Sequence, residues 1–211
     1  MKIKINQIFK QAVTFHKEGK IKEAEHLYRT TLKMQPTHQD ANNNLGTILL
    51  NYNKLDEAQI ILKKTIELMP DFSEAHHNLG LVLHKLKSFN KAEASHRKAI
   101  KLKSDFTEAH YHLGNTLSEL GRFDEAVMFY EKTIELKPNF PEAYYNLGCT
   151  LEIQKKFSEA EAAYIKAIKL KPSYLKANYN LANTLYKNKG NFIDAIDSFK
   201  QAIKIKPEFT D

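Results

Sequence analysis

With one cysteine, Cys149, among 211 residues, the chain cannot form an internal disulfide and has no thiol set for a Cys-based zinc site. Such usage suits a reducing compartment. Glycine and proline number only seven and six and recur at intervals, so no cluster marks a linker, and the sequence reads as one elongated domain over residues 1–211. No apolar run reaches transmembrane length, and Lys, Asn, Gln and His interrupt the first twenty residues before a signal-peptide core could form. A cytoplasmic protein with no membrane partner is expected. There is no Gly-rich phosphate loop.

Arginine clusters and basic grooves interleaved with aromatics are also missing, although the formal charge is +7. The lysines gather where helices should end, at Lys101, Lys103, Lys137, Lys169, Lys171, Lys204 and Lys206, and there they complement the helix dipole. No nucleic-acid partner is expected. With 42% hydrophobic residues the chain has enough apolar material to fold instead of staying disordered.

What is present is repetition. Gly46, Gly80, Gly114 and Gly148 are 34 residues apart, and Ala58, Ala92, Ala126 and Ala160 keep the same interval. Pro36, Pro70, Pro138 and Pro172 close copies; Ser104 replaces proline once, and Pro207 arrives one residue late, which places a one-residue insertion near Gly190. The copies span 5–38, 39–72, 73–106, 107–140, 141–174 and 175–209.

Within residues 141–174, Ala143, Leu147 and Leu151 lie on one face of a first helix, and Ala160, Tyr164, Ala167 and Ile168 on one face of a second. Lys155 and Lys156 fall between the two patterns and predict a turn. Each copy is therefore a helix hairpin, and helices this short are marginal in water unless they stack on a neighbour. Asp71 to Glu74 and Asp105 to Glu108 predict capping boxes, and Asp56, Asn90, Asp124 and Ser158 predict caps on second helices. A mid-helix glycine costs about 1 kcal/mol relative to alanine, so Gly46 and its equivalents predict close helix approach.

This period, with Leu-Gly in the first helix, Ala then an aromatic residue in the second and a closing proline, resembles the tetratricopeptide repeat from Ile5 to Phe209. In the first copy Gln11 and Ala12 replace Leu-Gly, as suits a terminal repeat. The family's Trp-like position is filled by Asn42, His76, His110, Tyr144 and Asn178. The resemblance implies an all-α, right-handed superhelical solenoid of six helix-turn-helix repeats whose first helices line a concave surface.

On that surface, the residue before the recurring leucine is Asn44, Asn78, His112, Asn146 or Asn180. An asparagine row offers acceptors and donors to an extended peptide main chain, and the pattern is similar to the repeat arm of O-linked N-acetylglucosamine transferases. The opposing reading is that the amides bridge neighbouring helices. Tyr111, Tyr145 and Tyr179 lie beside the row, with Asn115 and Asn183 one turn further on; they read either as contact surface or as packing. In the third copy Glu74, His77, Asn78, Leu81 and His84 are left over from packing.

A carboxylate clamp would find Asn115, Asn146 and Lys176, but Tyr111 and Asn180 stand where cations are needed. Histidines 76, 77, 84, 110 and 112 lack a completing ligand at metal-site spacing, and Cys149 has no histidine base in its own copy. The expected function is a non-catalytic protein-interaction scaffold without metal or cofactor that binds an extended peptide or partner protein. Two alternatives stay open: a substrate-binding arm of a larger protein glycosyltransferase, and a homodimer formed through the uncapped C-terminal repeat.

Overall fold

The protein is described by a computed structural model that covers residues 2–189, with 196 and 200. The described residues form eleven α-helices and no strand. In chain order they are α1 (Lys2–Lys17), α2 (Ile21–Met34), α3 (Gln39–Asn51), α4 (Leu55–Leu68), α5 (Ser73–Lys85), α6 (Phe89–Leu102), α7 (Thr107–Glu119), α8 (Phe123–Leu136), α9 (Pro141–Ile153), α10 (Phe157–Leu170) and α11 (Leu175–Lys189). Their bounds reproduce the hairpin spacing of the sequence. The expected insertion near Gly190, Pro207 and the C-terminal repeat expected to mediate a homodimer lie, from residue 190 on, outside the described residues apart from 196 and 200.

The chain divides into two compact units, Met1–Ala109 and His110–Asp211. In the first, alanines and leucines from α1 to α6 pack around Tyr28, Leu45, Leu49 and Leu62. In the second, Tyr164 sits among Leu151, Ala160, Leu181 and Leu185.

Each of the first five hairpins closes on one residue in the left-handed region, at Gly19, Asn53, Lys87, Gly121 and Lys155, with φ of 74°, 57°, 56°, 73° and 60°. The 34-residue period thus extends to the backbone, and two lysines accept a conformation that favours glycine. The close approach predicted from the mid-helix glycines is also present. A Cβ on Gly148 would lie 2.6 Å from the Tyr164 ring, one on Gly114 2.7 Å from Tyr130, and one on Gly80 2.5 Å from His96. In the second to fifth copies the glycine of the first helix is the slot for the large side chain of the second.

The capping scheme differs from expectation. α5 begins after Phe72 with no side-chain cap, and Ser73 Oγ donates to Glu74 at 2.8 Å instead of closing a capping box. Asp56 and Asp124 sit inside the first turns of α4 and α8, whose N-caps are Lys54 and Arg122. As cap residues they would have had to precede the helix; one turn in, their charge still complements the helix N-terminus. At α3 a side-chain cap does form, through His38, whose Nδ1 accepts from the Ala41 N–H.

Candidate functional site

In the second unit the asparagine row is a hydrogen-bonded device. Asn146 on α9 uses its NH2 to donate to Tyr111 Oη and to Asn115 Oδ1 on α7, both at 2.9 Å. Asn115 Oδ1 also accepts from Tyr130 Oη at 2.9 Å. One repeat on, Asn180 Nδ2 on α11 points at Tyr145 Oη, Tyr164 Oη and Cys149 Sγ, each at 3.4 Å. Tyr164 Oη donates in turn to Glu152 at 3.0 Å.

The first unit repeats the design with other partners. Asn44 Nδ2 donates to Tyr28 Oη at 3.2 Å, sixteen residues back, at the same spacing as Asn180 and Tyr164. Sixteen residues before Asn78 stands Leu62, which offers no acceptor, and Asn78 Nδ2 donates to Asn43 Oδ1 at 2.8 Å. Asn44 and Asn180 thus reach a tyrosine on the second helix of the preceding copy, whereas Asn78 and Asn146 bond to its first helix. Mid-helix asparagine is intrinsically unfavourable, and these bonds between repeats offset part of that cost.

The tyrosines beside the row are partly packed. Tyr111 lies on Phe140 with ring centroids 4.8 Å apart, and Tyr145 on Tyr174 at 5.1 Å. Burial pushes both hydroxyls above their ordinary pKa, as it does for Tyr130 and Tyr164. Tyr179 is 40% exposed, Asn183 is half-buried, and the His112 ring meets Tyr111 edge-on at 5.0 Å. In the third copy His77 and Asn78, expected to be left over from packing, are buried, with the His77 ring 4.9 Å from Phe106.

The structure thus gathers Tyr111, Asn115 and Asn146 into one network and Tyr145 and Asn180 into a second, and keeps Asn44 and Asn78 in separate bonds of the first unit. Sequence reading missed the receiving groups Tyr28, Asn43 and Tyr164. Their signal was their distance from each asparagine, sixteen or thirty-five residues, recurring from copy to copy.

The lysines at second-helix ends have further partners. Lys103, Lys137 and Lys171 lie over Phe106, Phe140 and Tyr174 at 5.0, 5.0 and 4.9 Å, and Lys171 also meets Glu142 at 3.4 Å. Between α2 and α4, Arg29 pairs with Glu25 and Glu57 at 2.8 and 2.6 Å, and Lys54 with Glu25 at 2.9 Å. Burial raises the Glu25 carboxyl, but the bonds from Arg29 and Lys54 outweigh it and hold the group below the usual carboxylate range. Among the described residues no group of three or more His, Cys, Asp or Glu side chains could hold a metal ion, and no helix is long and apolar enough to cross a membrane.

Several solved structures share this fold. A TPR protein with an unusual peptide-binding site, YrrB, is 23% identical, covers 86% of this chain and 93% of its own, and superposes with a TM-score of 0.71. MamA is 26% identical over 77% of this chain and 95% of its own, with a TM-score of 0.72. The Pseudomonas aeruginosa pilF protein, 16% identical, covers 97% of this chain and 92% of its own at 0.83. No curated protein sequence matches. Tetratricopeptide repeat profiles match residues 15–80, residues 73–106 and 175–209, and residues 107–140 and 141–174. On that span of matches and the hairpin period, the chain belongs to the tetratricopeptide repeat family.

Proposed function

We propose that the chain is a non-catalytic scaffold that binds an extended segment of a partner protein along the face lined by its first helices, the concave face of such repeats. The supporting observation is the shared orientation of the row. Asn44, Asn78, Asn146 and Asn180 all turn their NH2 groups into the stack, which leaves each side-chain carbonyl as the group for a ligand. The row therefore offers an acceptor in each of the four copies that carry an asparagine, with His112 between them, to main-chain N–H groups, while its donors are already engaged. Tyr111, His112, Asn115, Tyr145, Tyr179 and Asn183 supply the side-chain contacts beside it.

The test acts on the ligand. After capture of a partner by pull-down and mapping of its bound segment, N-methylation of alternate peptide groups removes the donors and leaves this protein intact. At least tenfold weaker binding is expected in one of the two methylation registers. Unchanged affinity in both would remove the row from recognition.

A further inference from the structure

We propose a second binding site, independent of the asparagine row: a groove in the first unit that takes an aromatic side chain of an acidic peptide. It begins with a difference between equivalent positions of the repeat. In the second unit Tyr144 fills the family's large-residue position on α9, and Lys166 Nζ of α10 stands 6.0 Å from its ring centroid. Three repeats earlier the same position is Asn42. Its Nδ2 donates to Pro36 O at 2.8 Å and His38 O at 3.1 Å, and its Oδ1 accepts from Thr65 Oγ1 at 2.9 Å.

Asn42 is tied down at the base, and the volume that a ring would fill stays open as a groove of about 380 Å³. Leu32, Leu45 and Ile61 form its apolar floor. Leu68 borders it with 44% of its surface exposed.

Charge decides the occupant. The groove is lined by Arg29, Lys33 and Lys64 and by no carboxylate. Arg29 is already neutralised by Glu25 and Glu57, whereas Lys33 and Lys64 make no ion pair among the described residues. The equivalents of Arg29 and Lys33 in the second unit are Glu131 and Glu135, so the sign is inverted where the slot is empty. The equivalent of Lys64 is Lys166, the cation beside the Tyr144 ring. A guest ring would occupy the space that Tyr144 occupies in its own repeat, with Lys64 near its face and its flanking carboxylates toward Lys33 and Lys64.

The test uses the full chain and three fluorescein-labelled probes, Glu-Glu-Trp-Glu-Glu, Glu-Glu-Ala-Glu-Glu and Lys-Lys-Trp-Lys-Lys, read by fluorescence anisotropy. The first should bind at least tenfold more tightly than the other two. Asn42→Tyr, which fills the groove from within, and Lys33→Glu with Lys64→Glu, which reverses its rim, should each weaken the first probe at least tenfold. Thermal melts establish folding, and if Asn42→Tyr does not fold the rim variant alone decides. Lys98→Glu with Lys101→Glu on α6 should leave binding unchanged. Failure of the first probe to bind, equal affinity for the alanine or lysine probe, retained affinity in the rim variant, or an equal loss in the α6 variant each overturns the site.

Discussion

Asn146 donates both of its amide hydrogens to a neighbouring repeat, one to Tyr111 Oη and one to Asn115 Oδ1, each at 2.9 Å. The bonds are half-buried, so removing the donor takes a partner from Tyr111 Oη and one of two donors from Asn115 Oδ1, which keeps Tyr130, at a cost of about 1–3 kcal/mol. Asn146→Ala should lower stability by that amount in urea melts with its far-UV helical signal retained at low temperature. Asn180→Ala, whose contacts are all 3.4 Å, should cost about 1 kcal/mol or less. Equal losses for the two would show that bond geometry is not what sets the cost.

Gly148 and Gly46 hold the same register but face different neighbours. A methyl on Gly148 meets the Tyr164 ring at 2.6 Å, and one on Gly46 meets the flexible tip of Leu62 at 3.0 Å. Gly148→Ala should destabilise by about 1–3 kcal/mol through overpacking. Gly46→Ala should be near neutral, because a helix-propensity gain of about 1 kcal/mol offsets the mild clash. Thermal denaturation of the pair checks the ordering.

Lys87 and Lys155 hold φ of 56° and 60° where Gly19 and Gly121 stand in other hairpins. Lys155→Gly should stabilise by about 0.5–1 kcal/mol, the strain of the left-handed region less the flexibility that glycine adds to the unfolded chain. Gly121→Ala should destabilise by about 1 kcal/mol. A Lys155→Gly melting temperature at or below that of the parent would contradict the strain argument.

Glu25 has its carboxyl held below the usual range by Arg29 and Lys54. Its folded-state pKa is depressed, so its contribution is complete above the unfolded value, about 4.3 for glutamate, and is lost as pH falls through the lower folded value. The pairs are partly solvated, so the increment is about 1 kcal/mol or less. Glu25→Gln should cost that increment near neutral pH and approach the parent in acid, read as melting temperature against pH. Parallel curves would remove the pairing from stability.

The helix spacing of the first five hairpins was legible because the glycine, alanine and proline registers each repeat the same interval, and a stack of short helices needs its apolar faces in phase. The asparagine register was legible too, but its amide orientation was not. Asn44 turns toward Tyr28 on the preceding second helix and Asn78 toward Asn43 on the preceding first helix, a difference of three-dimensional neighbours that no single helix face contains. The capping box at Asp71 to Glu74 misled because Asp71 and Ser73 satisfy the spacing rule while α5 begins at Ser73, one residue past where a serine cap would stand. The groove was hinted at by Asn42 at a large-residue position, but its openness required seeing that Asn42 bonds downward to Pro36 and Thr65.

The bond from Asn44 to Tyr28, and its counterpart from Asn180 to Tyr164, join a residue of one repeat to the repeat before it. Consecutive modules are thus lock and key, and their order along the chain is information. A permuted gene that set the copy bearing Leu62 before the copy bearing Asn180 would keep every hairpin yet mismatch that joint. Shuffled arrays should therefore lose cooperativity at the mismatched seams first, and substitutions at a second-helix tyrosine should be tolerated best when the asparagine of the following copy changes with it.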